Sequence, residues 1–220
     1  MSEAARDPQP AETSRSRRRR AGVNQDSVLD AVCEVIAERG WEGTRYTDVA
    51  QRANIAIGSL QYQFGNRERM MAAALGHRTR QILDEVSREA EAIEDPVDRL
   101  AWIASCLVSG VASDEAAGTE WFIWTEYWRA ALRDDNLRAE AARNYREWVA
   151  LVARGIEDCV TAGLVTSDLD AAEVATSLVA LGDGLGVQVS LDASGLTWAQ
   201  AGAVVRNSLA RALGHPDLFG

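Results

Sequence analysis

The sequence predicts an all-α protein, and three observations carry that reading. Its four prolines fall at positions 8, 10, 96 and 216, leaving two long stretches without one, which helices tolerate and sheets of tight hairpins rarely show. Apolar residues recur on single helical faces, as Val28, Leu29, Val32, Val35 and Ile36 do. Capping residues stand where such segments would start and stop.

The elements follow in order. Asn24 caps a first helix with Asp26 in its first turn, and Gly40, after Glu38-Arg39, serves as its C-cap. A second helix is expected over about 46–52, a third over about 56–63 and a fourth from Arg67 to Glu91. Pro96 starts the next, and later helices fit about 97–113, 119–132, 135–162, 170–191 and 197–213. No repeat at solenoid spacing is visible.

A chain of 220 residues with 47% hydrophobic and 25% charged residues has ample material for a core. The net charge of −10 is unevenly placed. Residues 1–70 hold 11 Arg against 10 Asp and Glu, whereas residues 71–220 hold 12 Arg against 23. Lysine is absent, so every cation is an arginine. Arg15 and Arg17–Arg20 form a basic arm in a leader whose composition predicts disorder; it is either a solubilising tail or a phosphate-binding extension. No apolar run approaches the ~18 residues of a membrane span and no signal peptide precedes residue 20, so a cytoplasmic protein is expected. Cys33, Cys106 and Cys159 are far apart among apolar neighbours and read as buried free thiols.

The stretch "DVAQRANIAIGSLQYQF", Asp48 to Phe64, reads as two short helices folded on each other. Ala50 is small where the helices cross, and Asn54 lies at a turn that needs a left-handed backbone. Val49, Ile55 and Leu60 supply the contacts that fix the angle. This is the pattern of a helix-turn-helix, whose second helix fits a major groove about 12 Å wide. Gly58 within that helix costs roughly 1 kcal/mol against Ala, a loss that close approach to DNA explains. An ordinary helical hairpin is the other reading of the same pattern.

Residues 24–75 resemble the DNA-binding domain of the TetR family of bacterial regulators, in "VLDAVCEVIAERGWEGTRYTDVAQRANI" and "GSLQYQFGNRERMM". The "YQF" ending followed by a turn and "RE" is the most specific part. The segments "WTEYWRAALRDDNLRAEAARNYREWVALV" and "LVALGDGLGVQV" are similar to the C-terminal half of the family's BetI-like members. The resemblance implies a helix-turn-helix head and a larger helical ligand-binding and dimerisation domain. It divides the chain into a disordered basic arm (1–22), a helix-turn-helix DNA-binding domain (23–70) and a helical effector-binding and dimerisation domain (71–220).

Carried over residue by residue, the DNA-binding set is Arg45, Tyr46, Thr47, Ala56, Ile57, Gly58, Ser59, Gln61, Tyr62 and Arg67. The chain departs from the family pattern at Arg45, where a Ser or Thr cap is usual, and at Ala56-Ile57, where a polar pair is usual. Arg45 is then a phosphate contact and Ile57 a partner for a thymine methyl. Thr47 opens the second helix facing DNA. Ser59 and Gln61 point outward, and glutamine pairs bidentately with adenine. The family's usual tyrosine falls at Gln61; Tyr62, next to it, reaches a phosphate, and Arg67 holds the backbone from the start of the fourth helix. Val49, Leu60 and Phe64 belong to the core.

Other chemistry is sparse. The two histidines, His77 and His215, lack ligand-spaced partners, and no Ser or Cys has a His–acid pair, so no metal, no cofactor and no catalytic site are expected. "GDGLG" at 182–186 lies within helical periodicity with no preceding strand, so its glycines are expected to permit close helix approach at a dimer interface. Asp183 is then a surface or interface acid, or a buried one facing a ligand. Trp121, Trp124 and Trp128 lie along one helix face, and Trp102 and Trp148 fall on helices able to close over it. Two readings stand: an aromatic core, or a pocket gripping a cationic or aromatic effector by cation–π attraction, with Glu120, Glu126 or Asp183 nearby.

Together these features point to a ligand-responsive transcriptional regulator, a repressor released from a palindromic operator by a small molecule. Its partners would be double-stranded operator DNA, a second copy of the chain and the effector, with no membrane. The last two long helices, through Leu178, Leu185, Val189, Val204 and Leu209, would form a four-helix dimer interface. Two heads would then meet major grooves ~34–36 Å apart, and an effector tilting the fourth helix would change that separation. A helical protein-interaction module without specific DNA binding is the alternative.

Overall fold

The computed structural model describes residues 24–110, 114–165, 170–193 and 195–219; the expected disordered arm lies outside them. Among the described residues the chain forms nine helices and no strand. The head comprises α1 (Gln25–Gly43), α2 (Tyr46–Arg52) and α3 (Ile57–Phe64), and α4 (Arg67–Glu91) leads out of it. The body adds α5 (Pro96–Ser109), α6 (Asp114–Ala131), α7 (Asp135–Thr161), α8 (Ala171–Ser190) and α9 (Trp198–Ala212).

Local chemistry accounts for the ends. The side chains of Asn24, Asn66, Asp95, Asp134 and Asp170 each accept a backbone N–H in the first turn that follows, and Thr197 with Gln200 closes a capping box on α9. Gly40 adopts φ +71 and breaks α1 there, although the chain winds on to Gly43. α5 stops at Ser109, short of the expected 113, because Gly110 takes φ +59, while α6 starts at Asp114, ahead of the expected 119.

Two apolar cores form. In the head, Val28, Val32, Ile36, Val49, Leu60, Met70 and Leu75 pack together, and α6 and α7 add Ile123, Tyr127, Leu137 and Ala141 to them. The body core includes Leu100, Ile103, Trp121, Trp148, Val152, Ile156, Leu178, Val205 and Leu209. Phe64 is partly buried against the head core. All three cysteines are free and buried; burial pushes the thiols of Cys33 and Cys106 up to about 12 and that of Cys159 to about 11. No helix among the described residues is long and apolar enough to cross a membrane.

The expected dimer determinants need correcting. Leu178, Leu185 and Leu209 are buried within their own subunit's core, whereas Val204 remains exposed. The glycines of α8 also serve the subunit itself. A Cβ on Gly182 would stand 2.9 Å from the Leu107 carbonyl oxygen of α5, and one on Gly186 would fall on the Trp121 indole of α6. Only at Gly184 would a side chain meet open space.

Candidate nucleic-acid interface and effector cavity

The turn between α2 and α3 is built as its residues require. Asn54 takes φ +52, and the Ile55 N–H donates to the Ala50 carbonyl at 3.0 Å. Val49 and Leu60 are fully buried, which fixes one helix against the other. On α2, Arg52 donates to Glu34 and Glu38 at 2.7 Å and ties the pair to α1. The other side of α3 is left to solvent: Ala56, Ile57, Gly58, Ser59, Gln61 and Tyr62 are all exposed, Tyr62 to 94%. A short helix with Leu60 as its one fully buried residue is marginal alone and presents nearly its whole circumference. No neighbour explains Gly58, where an added Cβ meets nothing within 4 Å. Arg45 and Thr47 are exposed beside it at the start of α2. Gln63, which sequence reasoning passed over, shares a shallow depression with Gly58, Ser59 and Tyr62.

Two expected contacts are placed differently. Tyr46 leans on the head core with its hydroxyl buried, so that group is not presented at the surface. Arg67 does not project toward a ligand. Its Nε donates to the Thr44 carbonyl at 2.7 Å and its guanidinium also donates to the Trp41 carbonyl. The guanidinium is thus committed to the turn that joins α1 to α2.

In the body, a cavity of about 50 Å³ opens between α4, α5, α6, α7 and α8. Trp121, Trp124, Tyr127 and Trp128 of α6 line it, with Tyr145 and Trp148 of α7 and Asp183 of α8. The rings interlock: Trp121 and Trp128 meet edge to face at 5.9 Å, and Trp128 stacks on Tyr145 at 6.3 Å. Trp102 is not among the lining residues; it sits on α5, partly buried against the body core. Glu126 pairs with Arg129 at 2.8 Å and is not a lining residue either. Asn144 and Tyr145 precede Trp148 on α7 and were not among the residues expected from sequence; only the packing of α7 against its neighbours brings them to the cavity.

The cavity's polar groups are largely engaged. The Tyr145 hydroxyl donates to the Asp183 carboxylate at 2.8 Å. Burial raises the Asp183 carboxyl to about 6, against the opposing pull of that hydrogen bond. Arg78 donates to Glu120 at 2.6 Å; burial pushes the Glu120 carboxyl up while the guanidinium draws it down. Asn144 donates to the Thr79 hydroxyl at 3.0 Å.

A helix-turn-helix head joined to a helical body that encloses an aromatic cavity defines a ligand-responsive DNA-binding regulator. The family "BetI-type transcriptional repressor, C-terminal" matches residues 96–214, more than half of the chain, and "Bacterial regulatory proteins, tetR family" matches residues 28–74. The chain therefore belongs to the tetR family of bacterial regulatory proteins, with a C-terminal part of the BetI type, a family in which repression and dimerisation are typical. It is 26% identical to the HTH-type transcriptional regulator BetI of Burkholderia lata over 170 residues, 77% of this chain and 83% of that one. Among solved structures, a putative transcriptional regulator of Saccharomonospora viridis in complex with choline is 25% identical with TM-score 0.72, over 90% of this chain and 96% of that one. A putative TetR-family regulator of Rhodococcus sp. is also 25% identical, with TM-score 0.68 over 86% and 97%.

Proposed function

We propose that this regulator is a cytoplasmic homodimer that represses from a near-palindromic operator and is released by a small organic cation. The chain divides for this purpose into the arm (1–22), the reading head (23–70) and the effector and dimer domain (71–220). Arg45, Thr47, Ala56, Ile57, Gly58, Ser59, Gln61 and Tyr62 are the DNA-facing set, and Trp121, Trp124, Trp128, Trp148 and Asp183 bind the effector. The dimer forms over α8 and α9, where Val204 is exposed and a groove runs past Ser177, Leu181 and Ser208.

The observation that carries the effector reading is the cavity itself. Four indoles and two phenols offer π faces, and a carboxylate stands at the wall, which is the chemistry that holds an ammonium group without strong hydrogen-bond demands. Its small volume suits a compact ligand. The choline complex of the Saccharomonospora viridis relative supports the same class. Binding without catalysis fits these groups: Glu120 and Asp183 are held by partners, and burial keeps the Cys106 thiol protonated at neutral pH.

The test uses the full chain and a labelled duplex from upstream of its own gene. Choline is expected to bind and release the duplex at similar concentrations, while 3,3-dimethylbutanol, its neutral carbon analogue, does neither. Equal response to both would remove the cation from this reading.

A further inference from the structure

A groove of about 760 Å³ runs along the outside of the body between α7 and α8, lined by small apolar side chains such as Val149, Ala150, Ala153 and Ala180. Thr176, also on its wall, spends its hydroxyl on the Ala172 carbonyl at 2.7 Å. Tyr145, Val179 and Asp183 line both this groove and the aromatic cavity, whereas the groove between α8 and α9 shares no residue with the cavity. The two spaces therefore stand back to back. The polar part of the partition between them is the hydrogen bond from the Tyr145 hydroxyl to the Asp183 carboxylate.

The other polar ties around the cavity face into the fold. Trp121 Nε1 donates to the Val108 carbonyl, Arg78 to Glu120 and Asn144 to Thr79, so breaking any of them leaves a buried group unmatched. Asp183 differs. It is only partly buried, it borders the outer groove, and beside it an added Cβ on Gly184 would meet open space. A carboxylate turned outward there is met by water.

We propose that the Tyr145–Asp183 pair is the door of the aromatic cavity, and that the effector enters and leaves along the α7–α8 groove. This rests on the reading that the cavity holds an organic cation. Turning Asp183 toward the groove opens the partition while the Tyr145 ring keeps its stack on Trp128. The carboxylate then meets the cation on the outside and accompanies it in. Arg146 and Arg154 share the groove walls with Glu157 and Asp183, so the mouth carries no net positive charge against a cation. A door sets rates: whatever obstructs the path slows entry and exit by one factor and leaves the affinity alone.

The test plugs the groove reversibly in the full chain. Ala150 lines the groove and not the cavity, and the native Cys33, Cys106 and Cys159 are all buried, so in Ala150→Cys the new thiol is the one that benzyl methanethiosulfonate reaches. Choline binding is followed by stopped-flow tryptophan fluorescence. The labelled variant is expected to bind and release choline several-fold more slowly, by the same factor in both directions, and dithiothreitol is expected to restore both rates. Tyr145→Phe removes the hydroxyl and keeps the ring, so its association rate is expected to rise several-fold. Unchanged rates in the labelled variant, or a lost affinity without slower association, overturn the groove as the path and leave the cation reading standing. An association rate in Tyr145→Phe no faster than native overturns the door. Failure of the native chain to bind choline overturns both readings.

Discussion

Arg67 Nε donates to the Thr44 carbonyl oxygen at 2.7 Å, joining the first residue of α4 to the turn that closes α1. The same guanidinium donates to the Trp41 carbonyl. Gly40 interrupts α1, so carbonyls near its end lack helical partners, and the planar fork of an arginine reaches two of them at once. Thr44, itself fully buried, turns its hydroxyl back to the Gly40 carbonyl at 2.8 Å. The link sets the seat of the head on α4.

Arg67→Ala and Gln61→Ala should therefore fail in different ways. Loss of the arginine removes charge-assisted bonds to two carbonyls, a cost of about 2–3 kcal/mol. A lower melting temperature, weaker binding to every DNA sequence and an unchanged salt slope are expected. Gln61 is exposed on α3, so its truncation should leave the melting temperature alone and relax preference at one operator position by ~1–3 kcal/mol. A reduced salt slope for Arg67→Ala at native stability would return Arg67 to the phosphate contacts.

That contrast shows what sequence could and could not convey. Helix spans were legible because capping residues and apolar periodicity are local: α4 runs from Arg67 to Glu91 as expected, and Asn54 takes the left-handed turn its position demands. Arg67 reads as a phosphate ligand because a basic residue opens a helix beside a DNA reader, whereas the hydrogen bonds it makes in the fold go to backbone carbonyls. Its carbonyl acceptors lie 23 and 26 residues back, and only the folded chain brings them near. The tryptophan stripe on α6 was visible from its spacing. Asn144 and Tyr145, which complete the cavity from α7, were not, since no local pattern says which helix faces which. The glycines of α8 were assigned to a partner for the same reason, when their neighbours are Leu107 and Trp121.

Those glycines give a second prediction, because three of them share one helix and face different surroundings. Gly186→Ala drives a methyl into the Trp121 ring, whose Nε1 is held by the Val108 carbonyl, and should cost about 1–3 kcal/mol and weaken effector binding. Gly182→Ala meets a backbone oxygen, which cannot rotate away, and should be at least as damaging. Gly184→Ala has open space and should gain about 0.5–1 kcal/mol from helix propensity. Thermal melts of the three decide it; similar losses at all three positions would mean that the glycines act through a shared feature such as the dimer face.

Effector affinity should depend on pH through Asp183. Its carboxyl is raised from 3.8 to about 6 by burial, so it is neutral below that range and charged above it. A quaternary ammonium does not titrate and favours the charged form, so binding expels the proton. Affinity should rise with pH up to about 7, falling about tenfold for each unit below about 6. For stability the sign is opposite: the folded state holds this proton more tightly than the unfolded one, so this group's contribution weakens as pH climbs from about 4 to 6 and is level above. Other groups facing this part of the cavity and its outer groove are Tyr145, Glu120, Arg146, Arg154 and Glu157. Asp183→Asn should flatten the affinity profile between pH 5 and 7; a profile equally steep in that variant would assign the proton to one of these.

Coupling between cavity and head should run through two polar links to α4. Arg78 holds Glu120 at 2.6 Å, and one residue on, Thr79 accepts from Asn144 at 3.0 Å. Glu120 and Asn144 both line the cavity, whereas Arg78 and Thr79 lie on the helix that Arg67 ties to the head. Removing only the arginine strands a buried carboxylate and confounds stability with signalling, so the informative variant changes both partners, Arg78→Met with Glu120→Gln. Linkage requires that operator DNA and effector weaken each other by the same factor, typically about 5- to 150-fold for allosteric coupling in general. The double variant is expected to fold, to bind each ligand alone nearly as the native chain does, and to lose several-fold of that mutual factor, with the Thr79–Asn144 link retaining the rest. Effector titrations with and without a saturating operator duplex measure it. A mutual factor unchanged in a folded double variant would place the signal elsewhere, in the apolar seam of Ile123, Tyr127 and Leu137 that α6 and α7 contribute to the head core.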